Sequence, residues 1–261
     1  MEEFDGRVRF AIEGKVGVLT LIRSAQLNAF DAAMHVALAR CLDKVAANKE
    51  IGVLILTGQG RAFSSGQDLG ERAATFAAGE TPDLHSSLDK LYNPLVRQLV
   101  NLPIPVIAAV NGIAFGAGAA IAIACDITLA AKSARFQFGF VNVGLGPDSG
   151  ASWTLPRLVG AQRAMDMALS ANPVSGLDAE HIGLVARCVD DEKLLPEAME
   201  MASQISKKSR DAVRLVKRCL RASGHISLDN ALDLERDSQA QLAKSSIYRD
   251  SVLHFAAGNR K

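Results

Sequence analysis

Two rhythms of apolar and polar positions divide the chain. Val8 to Ile12 and Val16 to Ile22 are strand-like runs on either side of Glu13, Gly14 and Lys15, which predicts a β-hairpin. Met34, Leu38, Cys41, Leu42 and Val45 then recur at the spacing of a helix with one buried face, and Asp31 stands where it can cap that helix. Ile51 to Thr57 is a continuous apolar run, the pattern of a buried strand. Residues 71–87 have weak periodicity and contain Gly79 and Pro82, which predicts a mobile surface segment. Leu88 to Leu102 reads as helical, with Pro94 near its start or kinking it. Val106 to Val110 is a second buried strand, too short to span a membrane. After a turn at Asn111-Gly112, Gly116, Ala117 and Gly118 lead into a small-residue helix over Ala119 to Ala124.

The second half continues with two strands, Ile127 to Ala131 and Ala134 to Phe138. A turn-rich loop from Gly144 to Gly150 precedes a helix toward Val159. Further helices are predicted around 161–170 and 178–183, and a final strand over Gly183 to Val189. Beyond about residue 193 only helices follow, with one apolar stripe at Ala212, Val213, Val216, Cys219 and Leu220. Another begins at Leu228, Ala231 and Leu232. The fold class is therefore α/β: repeated strand–strand–helix units over 1–192, then an all-helical region over 193–261. That region is too small for a large core of its own and is expected on the body or on a neighbouring subunit.

Composition narrows the function classes. The 261 residues are 49% hydrophobic and carry a net charge of +1, so nothing calls for nucleic acid or a membrane as partner. Cys41, Cys125, Cys188 and Cys219 lie far apart, which suits free thiols in a reducing compartment. The five histidines show no metal spacing. The start of the chain has neither a basic nor an apolar leader, so a soluble cytoplasmic protein is expected.

The candidate chemistry lies at glycine turns. A strand, a glycine turn and a helix start aim free N–H groups at one point, where an anion or a developing oxyanion can sit. If parallel strands bring Gly66-Gln67-Asp68 beside Gly116-Ala117-Gly118, the N–H groups of Gln67 and Ala117 can converge on one oxygen. The alternative is that both are only close-packing turns. Gly58 and Gly60 lack the third glycine of a dinucleotide fingerprint and read as a tight turn. Asp148, between Pro147 and Ser149-Gly150, is the candidate catalytic carboxylate; the alternative is a cap on the following helix. Asp68 and Asp126 are expected to hold backbone N–H groups, and Trp153 to pack. No G-x-S-x-G elbow supports a serine hydrolase.

These residues resemble the crotonase, or enoyl-CoA hydratase/isomerase, superfamily. The resemblance covers nearly the whole chain. It rests on Leu27 to Phe30, Thr57 to Leu69, Pro105 to Gly118, Cys125 to Ile127 and Gly144 to Gly160. It implies a ββα superhelical spiral with a C-terminal helical trimerisation region, and a homotrimer or a hexamer made of two trimers. The implied substrate is an acyl-CoA thioester whose oxygen sits between the amides of Gln67 and Ala117. No cofactor is implied beyond the coenzyme A of the substrate, and no metal.

Within the family, enoyl-CoA hydratases carry two glutamates, at positions matching Ala120 and Phe140 here. Neither alanine nor phenylalanine can orient and deprotonate water. The run Gly144 to Gly150, with Tyr92 to Arg97, Leu232 to Asp237 and Tyr248-Arg249, most resembles the 1,2-epoxyphenylacetyl-CoA isomerases, in which the residue matching Asp148 is the acid/base. The 4-chlorobenzoyl-CoA dehalogenases use an aspartate at that place as nucleophile, but carry a tryptophan where Phe140 stands and a histidine near Asn93. For substrate and CoA binding the resemblance implicates Arg23, Ala25, Leu27, Ala62, Ser65, Gly66, Asp68, Gly116, Asn93 and Phe140, and residues 71–87 are expected to border the acyl pocket. For Arg23 an ordinary surface charge is the alternative. A C-terminal Phe-x-x-Lys of a neighbouring subunit also contributes in the family. Phe255 matches, Gly258 replaces the lysine, and Arg260 or Lys261 is a substitute. Three readings follow: an isomerase, another crotonase-type reaction such as hydration or thioester hydrolysis, or a non-catalytic acyl-CoA-binding subunit.

Overall fold

The computed structural model of the protein describes residues 1–258. Its first strand, β1 (Glu2–Phe4), pairs antiparallel with β2 (Val8–Glu13), and the predicted turn folds β2 antiparallel onto β3 (Val16–Leu21). Helix α1 (Ala32–Ala47) buries Met34, Leu38, Cys41, Leu42 and Val45, the face anticipated from their spacing. Asp31 caps it, its Oδ1 accepting from Met34 N at 2.7 Å. Such a cap contributes about 1 kcal/mol.

From here each unit divides its two strands between two sheets. Strand β4 (Val53–Gly58) joins the large sheet beside β3, and β5 (Ala62–Ser64) crosses to a small one. Helices α2 (Leu69–Ala77) and α3 (Leu84–Ser87) follow, then a wide helical turn over Leu88–Tyr92 that runs into α4 (Asn93–Asn101). The next unit is β6 (Val106–Val110), β7 (Ile113–Phe115) and α5 (Ala117–Ala124). The third begins with β8 (Ile127–Ala131) and β9 (Arg135–Gln137). Helices α6 (Ala151–Val159) and α7 (Ala161–Ser170), strand β10 (Val174–Ser175), helix α8 (Gly176–His181) and strand β11 (Arg187–Val189) complete it. The large sheet has the order β1-β2-β3-β4-β6-β8-β11 and the small one β10-β9-β7-β5. This is the ββα spiral, and α5, buried along its whole length, lies at its centre.

Four helices end the chain: α9 (Leu194–Ser206), α10 (Arg210–Ser223), α11 (Leu228–Leu242) and α12 (Ser246–Gly258). The helical region starts where the pattern predicts, but α9 packs across β3, β4, β6 and β8 and belongs with the sheet. Helix α10 is tied to the body by Asp126, which accepts from Lys217 Nζ at 2.7 Å and from Arg221 Nη2 at 2.8 Å. Asp126 Oδ2 also accepts from Val106 N, the backbone role expected of it. In α11 only Ser238 is buried, and the described side chains of α12 are exposed.

Three expectations change. Residues 71–87, expected as a surface segment with weak periodicity, lie at the surface but carry most of α2 and all of α3, capped by Asp68 and Asp83. Helix α2 buries none of its residues, so no apolar period marks it. The strand expected over Gly183 to Val189 shortens to β11. Trp153 is 46% exposed instead of packed inside, and stacks against Arg157 and His225.

Candidate active site

The two glycine turns meet because β5 and β7 are parallel neighbours in the small sheet. Their ends carry Gly66 and Gly116 to one place. A Cβ on Gly66 would lie 2.6 Å from Phe115 O and 3.2 Å from Ala117 N, so the two chains touch there without room for a side chain. Gly66 has φ +82°, and Gly116 has φ +52° and ψ −120°, backbone that side chains rarely permit.

These conformations leave two N–H groups free. The chain around Gln67 pairs with Phe30: Phe30 N donates to Gly66 O at 2.7 Å, and Asp68 N donates to Phe30 O at 3.0 Å. That bridge turns the intervening Gln67 N–H the other way, and it has no partner among the described residues. Ala117 is the first residue of α5, where helical geometry leaves its N–H unpaired. The helix start adds positive potential at the same point. Two fixed donors of this kind suit a carbonyl oxygen that becomes an oxyanion, and one such donor is typically worth about 2.7–4 kcal/mol in the transition state.

Side chains brace these donors without supplying them. The Gln67 amide oxygen faces the Arg72 guanidinium, the orientation that matches donor to acceptor. Arg72 Nη2 also donates to Ser87 Oγ at 2.6 Å, which joins α2 to α3. Asp68 accepts from Gly70 N at 2.8 Å and from Arg23 Nη1 at 2.5 Å. Burial alone would raise the Asp68 pKa, yet Arg23 and the Gly70 N–H hold it below the usual carboxylate range. Arg23 also meets Asp31 Oδ2 and Ala29 O, and its side chain is 15% exposed. It is neither an open cation nor an ordinary surface charge.

The candidate acid, Asp148, lies on the turn that precedes α6. Ser149 and Gly150 both have positive φ, and Gly150 is the residue that precedes α6, with no side chain capping the helix. Asp148 is therefore not the cap. It is half-buried and accepts from Ser149 Oγ at 2.8 Å. Burial raises its pKa, and the Ser149 hydrogen bond offsets only part of that rise. A carboxylate so placed is a stronger base than one in water.

Phe140 borders the Gly116 turn, and Val96 of α4 borders the Asp148 turn. A Cβ on Gly116 would lie 3.9 Å from Phe140 Cε1, and one on Gly150 would lie 3.6 Å from Val96 Cγ1. Phe140 is buried, Asn93 is half-buried at the start of α4, and Ala120 is fully buried. The segments expected at CoA also adjoin: Ser65 N donates to Leu27 O at 2.9 Å, with Ala25 exposed and Ala62 buried. Phe255 is 71% exposed on α12. Arg260 and Lys261 lie outside the described residues.

Tyr92 belongs to the run Tyr92 to Arg97 that carries the resemblance, which gives it no role of its own. It stands beside the half-buried Asn93 and within electrostatic range of Asp148. Other chemistry finds no support. Burial pushes the Cys41 and Cys125 thiols up to about 12, and no metal-ligating cluster exists among the described residues. No described helix is long and apolar enough to cross a membrane.

Known proteins resemble this chain over nearly its whole length. The chain is 44% identical over 246 residues to 1,2-epoxyphenylacetyl-CoA isomerase of Escherichia coli (strain K12), covering 94% of each chain. It is 32% identical over 241 residues to 2,3-dehydroadipyl-CoA hydratase of the same organism, covering 92% of each. A crystal structure of an enoyl-CoA hydratase/isomerase from Cupriavidus metallidurans CH34 superposes with a TM-score of 0.90 at 31% identity, covering 99% of this chain and 96% of that one. Residues 11–260 match the enoyl-CoA hydratase/isomerase family model, and the chain belongs to that family.

Proposed function

We propose that the protein is an acyl-CoA isomerase that works through a thioester enolate. The thioester oxygen binds the N–H groups of Gln67 and Ala117. Asp148 removes a proton from the carbon next to the carbonyl, and the negative charge moves to that oxygen. For a 3-enoyl-CoA, the same carboxyl returns the proton to the γ-carbon and yields the 2-enoyl-CoA. No water or electron is consumed. The donors stabilise the enolate more than the ground-state thioester, which lowers the barrier. A second substrate class is a ring-epoxide such as 1,2-epoxyphenylacetyl-CoA, which rearranges to an oxepin of the same formula.

The observation that carries this reading is Asp148, a half-buried carboxylate whose described side-chain partner is Ser149. Asp148 is half-buried with its pKa raised, whereas Asp68 is paired with Arg23, and Ala120 and Phe140 stand where hydratases hold glutamates. One carboxyl suffices to move a proton between two carbons; hydration also needs water held and activated. The 44% identity to an epoxide isomerase supports the same choice.

Coenzyme A would lie along residues 23–27 and 62–66, gripped largely by backbone because Arg23 is engaged. Phe255 would reach the site of a neighbouring copy in a homotrimer or a hexamer in the cytoplasm. The test is turnover of a 3-enoyl-CoA and of 1,2-epoxyphenylacetyl-CoA in ¹⁸O-water. Isomeric product without label is expected. Label in the product would overturn the reading in favour of hydration or hydrolysis.

A further inference from the structure

Tyr92 is 3% exposed, yet its hydroxyl has no hydrogen-bond partner among the described residues. The side-chain polar atoms sealed from solvent without a partner are Asn28 Oδ1 and both His35 nitrogens, and the Tyr92 hydroxyl is not among them. The ring is therefore enclosed while the oxygen opens onto a space. A buried tyrosine normally satisfies its hydroxyl.

The place of that opening follows from the neighbours. The Tyr92 ring lies edge-on to His35 at 4.3 Å and to Phe30 at 6.3 Å between centroids. Phe30 is bridged to Gln67, one of the two oxyanion donors. Val96, one helical turn beyond Tyr92 and on the same face, lies against Gly150 beside Asp148. Tyr92 thus stands between the donor turn and the acid turn.

Local backbone sets this position. Pro94 supplies no N–H, and the Asn93 N–H reaches back five residues to Leu88 O. The wide turn over Leu88–Tyr92 ends on the tyrosine, its buried residue. Widened turns of this type are frequent at functional sites.

We infer that Tyr92 is a specificity residue whose hydroxyl donates a hydrogen bond to an oxygen carried by the acyl group, so that the site selects oxygenated acyl-CoA thioesters over hydrocarbon ones. The inference rests on the acyl-CoA isomerase reading above. Burial, and then the charges of Asp148, Glu71 and Asp68, push the phenol above its ordinary range. It therefore stays neutral and serves as a donor. No hydrogen bond joins the Tyr92 hydroxyl to Asp148, whose Oδ1 accepts from Ser149 Oγ. A buried donor left unpaired by a hydrocarbon substrate penalises that substrate, and sites of this kind discriminate strongly.

The test is calorimetric binding of two unreactive thioesters, phenylacetyl-CoA and 2-hydroxyphenylacetyl-CoA, to the wild-type protein and to Tyr92→Phe. The wild type should prefer the hydroxylated ligand by about tenfold, the worth of one neutral hydrogen bond. Tyr92→Phe keeps the ring packing and should bind the two within about threefold. Equal wild-type affinities, or a preference that survives in Tyr92→Phe, would overturn the proposal. Should the variant fail to fold, the wild-type comparison decides alone. Binding needs no turnover, so loss of the isomerase reading and loss of this one are separately visible.

Discussion

The donor turns and the acid turn depend on their sequences in opposite ways. The proposed donors, Gln67 and Ala117, offer main-chain N–H groups held by Gly66 and Gly116 in conformations that other residues strain to reach. Asp148, the proposed acid/base, sits on a turn whose neighbours Leu145, Gly146 and Pro147 are exposed, and its part depends on one carboxyl. In the proposed site the substrate handle thus depends on backbone shape and the chemistry on a side chain.

The largest effect should come from the acid side. Asp148→Asn keeps the shape and removes the base, so kcat should fall by about 10³-fold, within the range of general acid–base catalysis. Stability should move the other way. A carboxyl whose pKa rises on folding makes the native state less favourable as pH climbs above its unfolded value. Asp148→Asn should then melt at the same or a higher temperature at neutral pH. In the wild type, the acid limb of kcat/KM should lie above the ordinary aspartate range, with activity rising as Asp148 ionises. Full activity in Asp148→Asn would remove the assignment.

On the donor side the corresponding change is Gly66→Ala. Its Cβ would fall 2.6 Å from Phe115 O at φ +82°, so the turn must shift and displace Gln67 N. A loss of about 10²-fold in kcat is expected, as for one oxyanion donor. Unlike Asp148→Asn, this variant should also lose about 1–3 kcal/mol of stability through backbone strain. Denaturant melts beside the kinetics separate the two signatures.

Behind the donor turn, His35 is buried with both ring nitrogens unpartnered, and burial lowers its pKa to about 4 despite the nearby Asp31. The unfolded chain takes up a proton near pH 6.5, whereas the folded protein resists until about pH 4. Stability should therefore fall by about 3 kcal/mol as pH drops through that window. His35→Phe should flatten this loss when unfolding is measured at pH 7 and pH 5. An unchanged slope would place the acid sensitivity elsewhere. No matching loss is expected from Asp148, whose pKa moves in the opposite direction.

Long periodic elements were legible in the sequence; short ones set by tertiary pairing were not. The hairpin, the Asp31-capped helix and the strand–glycine–helix centre all follow from spacing. Strands β7 and β10, of three and two residues, exist because a neighbouring strand is waiting, and no periodicity fits in so few positions. Helices α2 and α3 escaped because α2 buries nothing and α3 has only four residues. In the site, the glycine turns and Asp148 were readable as chemistry. The closure of Arg23 onto Asp68 and Asp31, and the open hydroxyl of Tyr92, arise from contacts across distant segments and leave no local signal.

The smallest expected effect tests the comparison most directly. Gln67→Met keeps the side chain's length, removes the acceptor for Arg72 and leaves the backbone N–H in place. If position 67 acts only through its amide, kcat should change by less than about fivefold, since a surface-accessible side-chain hydrogen bond contributes about 1 kcal/mol. The Phe30 bridge, made by Gly66 O and Asp68 N, continues to orient that amide without help from the side chain. A loss approaching that of Gly66→Ala would mean instead that the Arg72–Gln67 link holds the donor in register. The distinction between a backbone-determined handle and a side-chain-determined acid would then fail at this residue.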